Sequence, residues 1–341
     1  MKKIESSAIV VCALYRFVRI EDPSVLQLQL LELLKTHTIK GTLLVAAEGI
    51  NGTVAGSREA INILRCWLKE DERFRDISFK ESQAFDNPFL RTRVKLKKEI
   101  VAMGIEDIDP SHLAGTYVKA EDWNELISSP DVITIDTRNE YEVEVGSFKY
   151  AVNPKTSSFR EFPKYIANHL DKNRNKKIAM FCTGGIRCEK SSAYLKSLGY
   201  ENVYHLEGGI LNYLEKTDAA NSLWQGECFV FDDRVTVGQD LEPGSYDQCH
   251  ACRTPISNID KDNEAYEKGV SCPHCRNQKS DADRERFRER ELQMRLAESR
   301  GEAHIGAAAV EAQAERSSKK RRNRQHQREK NFRPNPSYPS E

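Results

Sequence analysis

The sequence has no long apolar run and no excess of charge of either sign. No stretch approaches the roughly 20 apolar residues that span a bilayer, and Met1-Lys2-Lys3 is not followed by the apolar core of a secretory signal. We therefore expect a cytoplasmic protein with no membrane part. The 52 basic residues balance 52 acidic ones, but this zero net charge conceals an uneven distribution along the chain.

The sequence also lacks a pattern typical of haem, flavin or non-haem iron binding. Cysteine is present instead at nine positions, and four of these form two C-x-x-C units. In a chain of 341 residues, which is long enough for two or three domains, such units indicate metal binding and thiol chemistry rather than a disulfide framework.

The first 100 residues alternate between strand and helix patterns. The predicted elements are, in order, a strand at Ala8–Leu14, a helix from Pro23, strands at Thr42–Ala47 and Thr53–Ala55 around a hairpin turn at Asn51-Gly52, a helix containing Ala60, Ile61, Leu64 and Leu68, and strands at Ile77–Lys80 and Arg93–Leu96. This β-α-β-β-α-β order, with an extra strand, predicts a ferredoxin-like or acylphosphatase-like α+β sandwich.

Basic and aromatic side chains of this first domain form two clusters. They are Tyr15, Arg16, Phe17 and Arg19, and Arg91, Arg93, Lys95, Lys97 and Lys98. Alternation along a strand places several of these charges on one sheet face, where they are able to follow a phosphate backbone. A solvated strand face is the alternative interpretation.

Residues 101–112, around Pro110, read as a linker, and a second domain is expected over residues 113–217. Helical spacing of Trp123, Leu126 and Ile127 precedes a strand at Val132–Ile135 that ends at Asp136. We expect Asp136 and Arg138 to organise the domain through charged hydrogen bonds rather than to transfer protons.

A short strand at Ile178–Phe181 delivers Cys182 to a loop. Thr183, Gly184 and Gly185 favour a tight turn, Ile186 closes the loop, and Glu189–Ser197 reads as a helix that ends near Gly199. Backbone N–H groups in a strand–loop–helix turn converge on the centre of the loop and stabilise an anion there.

Cys182 is therefore our candidate for a reactive thiolate, with Arg187 as its cationic neighbour. The alternative is that Cys182 is a small buried apolar residue, as free cysteines often are. Cys188 has two interpretations as well: it resolves an oxidised or persulfidated Cys182, or it is a packed structural thiol.

The segment 218–306 carries the metal-binding pattern. Cys249, Cys252, Cys272 and Cys275 have C-x2-C-x19-C-x2-C spacing, which lets two knuckles converge on a tetrahedral Zn2+. We predict a structural zinc, because four thiolates leave no open position, and a redox role for either pair is the lesser alternative. A charged helix is expected over Asp281–Arg300. The final part, residues 307–341, contains eight basic residues and one acid between Lys319 and Arg333, which predicts a disordered cationic tail.

The motifs of the second domain resemble those of the rhodanese domain. Its loop cysteine acts as a nucleophile or carries a persulfide, and the matching positions here are Asp136, Arg138, Cys182, Arg187, Glu207, Gly208 and Gly209. The order AAEGINGT, CTGGIRCEKSSAYL and ESRGEAHIG along the chain further resembles the bacterial tRNA uridine(34) hydroxylase family.

That resemblance implies an oxidoreductase that uses dioxygen as co-substrate to form 5-hydroxyuridine at the wobble position, with the anticodon region of tRNA as partner. The loop cysteine is essential in the family, which places Cys182 and Arg187 in catalytic roles. A sulfurtransferase that carries a persulfide on Cys182 and a noncatalytic RNA-binding scaffold remain alternatives. The overall fold class is expected to be α/β.

Overall fold

The computed structural model describes residues 9–105, 108–170 and 176–300. They form two compact units, one that extends to Gln278 and one that begins at Lys279. The predicted cationic tail, including Lys319–Arg333, and the end of the ESRGEAHIG motif lie outside the described residues.

The N-terminal domain is a five-stranded sheet with two helices. Its elements are β1 (Ile9–Phe17), α1 (Pro23–Thr36), β2 (Lys40–Ala46), β3 (Gly49–Gly56), α2 (Arg58–Glu70), β4 (Ser78–Ala84) and β5 (Thr92–Leu96). The strand order is β4-β1-β3-β2-β5. β5 pairs parallel with β2, whereas the pairs β1–β3, β1–β4 and β2–β3 are antiparallel. The predicted ferredoxin-like domain with an extra strand is thus confirmed.

Both helices begin at side-chain caps and cover the same core. Asp22 accepts hydrogen bonds from the first backbone N–H groups of α1, and Ser57 accepts one at the start of α2. The buried residues recur at helical spacing: Leu26, Leu30 and Leu34 in α1, and Ala60, Ile61, Leu64 and Leu68 in α2. They pack in one cluster with alternate residues of the strands, which leaves the other face of the sheet free of helices from this domain.

The predicted hairpin turn at Asn51-Gly52 is wrong. The turn between β2 and β3 is formed by Ala47 and Glu48, and Gly52 lies within β3 opposite Leu43. A Cβ at Gly52 would lie 2.1 Å from the carbonyl oxygen of Thr42, so this glycine permits a close approach of two strands rather than a turn.

The second domain has a four-stranded parallel sheet with strand order β6-β10-β9-β7. Its elements are α3 (Pro110–Leu113), β6 (Thr116–Val118), α4 (Ala120–Ser128), β7 (Val132–Asp136), α5 (Glu140–Val143), β8 (Gly146–Phe148), α6 (Phe162–His169), β9 (Lys177–Phe181), α7 (Ile186–Ser197), β10 (Val203–Leu206) and α8 (Gly209–Lys216). This is the expected rhodanese-like α/β domain. Pro110, placed in the predicted linker, opens α3. Helix α7 begins three residues before the predicted start at Glu189, directly after the loop.

Short strand pairs follow the parallel sheet. They are β11 (Trp224–Gly226), which pairs with β8, then β12 (Cys228–Phe229) with β13 (Thr236–Val237), and β14 (Asp247–Gln248) with β15 (Pro255–Ile256), before α9 (Asn258–Lys261). The second unit contains α10 (Asp281–Glu298), whose first turn is capped by Ser280; this is the predicted charged helix. Across the described part of the chain, none of the helices combines the length and apolar character needed to cross a bilayer.

Candidate active site

Cys182 lies at the carboxyl end of β9, in a loop that closes against its sulfur. The backbone N–H of Gly185 donates a hydrogen bond to Cys182 Sγ at 3.1 Å. Gly185 has φ +98°, a left-handed conformation that L side chains rarely adopt. This glycine therefore lets the chain reverse within Thr183, Gly184 and Gly185 and enter α7 at Ile186, with N–H groups directed at the sulfur.

The pKa of Cys182 reflects opposing effects. Burial alone would raise it, because desolvation disfavours a charged thiolate. The side chain of Cys188, the positive charge of Arg187 and the backbone N–H groups of Cys188 and Gly185 outweigh burial and lower the pKa to about 6. Burial, together with the pairing to Cys182, raises the pKa of Cys188 above its usual range. Cys182 is thus the thiolate of the pair near neutral pH.

This shift predicts the pH profile of alkylation. Because the thiolate is the reactive form, the rate of Cys182 modification by iodoacetamide should rise with pH through a midpoint near the pKa of about 6. The rate should be close to its plateau by pH 7. The site of modification is identified by peptide mass spectrometry, and Cys182→Ser protein supplies the background. A midpoint at or above pH 8 would contradict a stabilised thiolate.

Arg187 lies at the start of α7 but is not a free cation. Its two terminal nitrogens each donate to one carboxylate oxygen of Glu142, both at 2.8 Å, and the Glu142 side chain is fully buried. Burial would lower the pKa of Arg187, but Glu142 raises it, so the guanidinium stays charged. Glu142 was not among the predicted site residues, and no spacing in the sequence pairs it with Arg187, 45 residues away.

Asp136 and Arg138 form a buried fork at the end of β7. Arg138 donates to both carboxylate oxygens of Asp136, from Nε at 2.9 Å and from a terminal nitrogen at 2.6 Å. It also donates to the backbone carbonyls of Glu142 and Gly146. Both side chains are completely buried. The pair therefore holds β7, α5 and β8 together.

The Glu207-Gly208-Gly209 segment fixes the opposite side of the loop. The N–H groups of Ile210 and Leu211 donate to the carbonyl oxygens of Cys182 and Thr183, at 2.9 and 3.1 Å. A Cβ at Gly209 would lie 2.5 Å from the Cys182 carbonyl oxygen. The start of α8 can therefore approach the Cys182 loop only because this position has no side chain.

The loop opens onto a cavity of about 910 Å³. Cys182, Thr183, Gly184, Ile186 and Arg187 form one wall, although Cys182 itself is only 1% exposed. The sheet of the N-terminal domain forms another, and it contributes Ala13, Tyr15, Thr42, Asn51 and Thr53 among others. Seven basic residues line the cavity against three acidic ones: Lys80, Lys97, Lys98, Arg160, Arg187, Lys216 and Arg234, against Glu99, Glu207 and Asp232.

Two contacts from α7 join the domains next to this cavity. Lys190, 1% exposed, donates to both carboxylate oxygens of Glu48 at 3.0 and 2.7 Å and to Glu99 at 2.9 Å. Tyr15 donates to Glu189 at 3.0 Å. The motifs AAEGINGT and CTGGIRCEKSSAYL thus meet through Glu48 and Lys190, a contact that neither motif indicates by itself.

The four knuckle cysteines converge as their spacing predicts. The sulfurs of Cys249, Cys252, Cys272 and Cys275 all lie within 4.8 Å of one another. Three of these residues are buried and Cys252 is half-buried. Four sulfurs at this separation form a site that can hold one metal ion.

Comparison with known proteins assigns both domains. Residues 9–100 match the UPF0176 acylphosphatase-like domain, and residues 119–216 match the rhodanese-like domain. Solved structures that resemble the chain include a rhodanese-related protein from Thermoplasma volcanium, at 26% identity over 30% of this chain and 93% of that one, with a TM-score of 0.25. Another is a rhodanese-like domain protein from Staphylococcus aureus, at 23% identity over 29% and 90% of the two chains, with a TM-score of 0.25. The two domain matches make the chain a rhodanese-fold protein with an N-terminal UPF0176 acylphosphatase-like domain.

Proposed function

We propose that the protein is a tRNA-modifying oxidoreductase that converts the wobble uridine to 5-hydroxyuridine, with Cys182 as nucleophile and dioxygen as co-substrate. The observation that carries this proposal is a low-pKa cysteine at the base of a large cationic cavity that two domains build together. The reaction takes place in the cytoplasm on the anticodon region of tRNA.

The size and charge of the cavity favour a nucleotide over a small anion. Ligand sites of about 300 to 1,000 Å³ accommodate organic molecules of drug size, and the cavity here is about 910 Å³. Its excess of basic residues complements phosphate. A single-stranded anticodon loop can place one nucleotide in such a cavity, since its bases can be turned out of their stack.

The chemistry begins with the thiolate. The Cys182 sulfur adds to C6 of uracil, and the electron pair of the C5–C6 bond moves to form an enolate at O4. Backbone N–H groups of the loop and the charge of Arg187 stabilise the negative charge. C5 then forms a bond to oxygen, and loss of the C5 proton with expulsion of the sulfur restores the ring and the thiolate.

Electron balance requires two electrons from outside the pyrimidine. One oxygen atom of dioxygen enters C5, and the other leaves as water when two equivalents of a thiol are oxidised to a disulfide. We therefore include a thiol reductant in the reaction.

The test is incubation of unmodified tRNA with the protein and a thiol under 18O2, followed by digestion and mass spectrometry of the nucleosides. The proposal predicts 5-hydroxyuridine that carries the heavy oxygen, with no product when dioxygen is excluded. A parallel incubation contains thiosulfate as sulfane-sulfur donor, and sulfur gained by uridine there would identify a sulfurtransferase instead. An unchanged uridine in both incubations would leave an RNA-binding scaffold.

A sulfurtransferase is the second candidate because the rhodanese-like match at residues 119–216 contains the whole catalytic loop. In that reaction Cys182 accepts a sulfane sulfur and the loop N–H groups bind the anionic persulfide. Transfer to a small thiol or to cyanide needs none of the wall that the N-terminal domain supplies, whereas a sulfurtransferase that acts on a tRNA base would use the same wall and is separated from the hydroxylase by the nucleoside product.

We further propose that the knuckle cysteines hold a structural Zn2+. Four thiolate ligands satisfy tetrahedral zinc and leave no position for a substrate. The purified protein should contain about one zinc per chain by elemental analysis, and Cys272→Ser should lose it. Cys66→Ser, which removes an exposed cysteine elsewhere, should retain it. Full zinc content in the Cys272→Ser protein would contradict the assignment.

A further inference from the structure

Phe231 is an exposed aromatic residue on the wall of the active-site cavity. Its side chain is 59% exposed and lines the same space as Cys182. The guanidinium carbon of Arg187 lies 5.8 Å from the centre of its ring, and the ring of Phe229 meets it edge-on at 5.1 Å. An apolar ring held open to solvent here forgoes the stabilisation of burial.

The turn that carries Phe231 is tied to the N-terminal domain. Arg234 donates to both carboxylate oxygens of Asp232 at 2.8 and 2.7 Å and to Ser82 Oγ of the N-terminal sheet at 2.7 Å. The N–H of Asp233 donates to the carbonyl of Pro88 at 3.1 Å. The ring therefore projects from a rigid turn, so that a ligand that stacks on it need not order a flexible loop.

The charges that line the same cavity indicate what stacks on this ring. Of the basic residues that line the cavity, Lys97, Lys98, Arg160 and Lys216 form no ion pair within the described ranges 9–105, 108–170 and 176–300. Unpaired cations and an exposed aromatic face in one cavity are the combination that binds single-stranded nucleic acid, because the cations attract the phosphate backbone and a base stacks on the ring.

We propose that Phe231 is the stacking platform for a nucleobase of single-stranded RNA, the base of the nucleotide next to the one that reaches Cys182. This inference rests on the proposed function and adds a specificity-determining residue to it. Arg187 supports one side of the ring and the neighbouring base covers the exposed side. Paired RNA is excluded from this contact, since bases within a helix have no free face.

The test measures binding rather than turnover. A fluorescently labelled anticodon stem-loop with a wobble uridine is titrated with full-length protein, with a blunt-ended RNA duplex of the same number of nucleotides as the comparison. Phe231→Ala should weaken binding of the stem-loop roughly tenfold or more and leave the weaker binding of the duplex unchanged. Phe231→Tyr should bind like the original protein, because it keeps the stacking face.

Two further variants separate stacking from other causes. Phe231→Leu, apolar but without a π face, should fail like alanine, and Phe85→Ala, which removes a phenylalanine that is 89% exposed and absent from the cavity lining, should have no effect. Equal affinity of the alanine variant, or full affinity of the leucine variant, would overturn the proposal. If Phe231→Ala lowers the melting temperature, the comparison of Phe231→Tyr with Phe231→Leu decides the result, because both variants keep a large side chain at this position.

The outcome is separable from that of the proposed function. Loss of RNA binding in Phe231→Ala, in a protein that forms no 5-hydroxyuridine, supports the platform and rejects the hydroxylase. Formation of 5-hydroxyuridine, with the same stem-loop affinity in all Phe231 variants, supports the hydroxylase and rejects the platform.

Discussion

Replacing Cys182 with serine is expected to abolish formation of 5-hydroxyuridine. The serine hydroxyl stays protonated at neutral pH, whereas Cys182 has a pKa of about 6, so the variant retains the cavity but has no anionic nucleophile. Loss of a nucleophile that acts together with its surroundings reduces turnover by about three orders of magnitude or more. The measurement is single-turnover product formation on unmodified tRNA.

The same variant should bind the anticodon stem-loop as tightly as the original protein, because the RNA contacts proposed here lie elsewhere in the cavity. The matched control is Cys66→Ser, an exposed cysteine far along the chain from the loop, which should be fully active. Turnover by Cys182→Ser within tenfold of the original would remove covalent catalysis by this sulfur from the mechanism. Loss of RNA binding together with turnover would instead indicate a collapsed loop.

The elements of this fold could be predicted where local pattern and tertiary role coincide. Pro23 and the leucines after it predict α1, and Ile178–Phe181 predicts a buried strand, because burial repeats with the period of the element. The Asn51-Gly52 dipeptide failed for a physical reason. Because glycine has no Cβ, it favours tight turns and also lets two strands approach closely. Only the pairing of β3 with two strands shows that Gly52 serves the close approach.

The candidate site also has a part that could be predicted from local sequence and a part that could not. The loop from Cys182 to Cys188 is continuous in sequence, so its geometry follows from strand, glycines and helix start. Arg187 was placed near the sulfur, but its partner Glu142 lies 45 residues away and was not foreseeable. Tyr15 and Phe231 enter the cavity from segments on either side of the rhodanese domain. Their arrival at one surface depends on how the domains pack, which neither composition nor spacing encodes locally.

Lys190 is a buried cation that joins two carboxylates of the N-terminal domain to α7. Lys190→Met should lower the free energy of unfolding by about 3 to 5 kcal/mol, as breaking a buried ion pair does. The reason is that Glu48 and Glu99 would face each other with no cation between them. Chemical denaturation followed by tryptophan fluorescence measures the change. Lys196→Met, on the same helix but without a carboxylate partner among the described residues, should change stability little.

The pH dependence of the loss identifies its electrostatic origin. Burial would raise the pKa of Glu99, but the Lys190 ammonium and the N–H groups of Met103 and Gly104 lower it. A carboxyl whose folded-state pKa is depressed stabilises the fold above its unfolded pKa, near 4.3, and loses that contribution as pH falls through the folded value. Lys190→Met should therefore cost most near pH 7 and least near pH 2, below the depressed pKa of Glu99. Adding Glu48→Gln should restore part of the stability at pH 7, because one of the two unpaired charges is gone. Two outcomes would show that Lys190 contributes packing rather than charge: the same loss of stability at both pH values, or a double variant whose loss equals the sum of the single losses. The wall opposite Cys182 would then be held by other contacts.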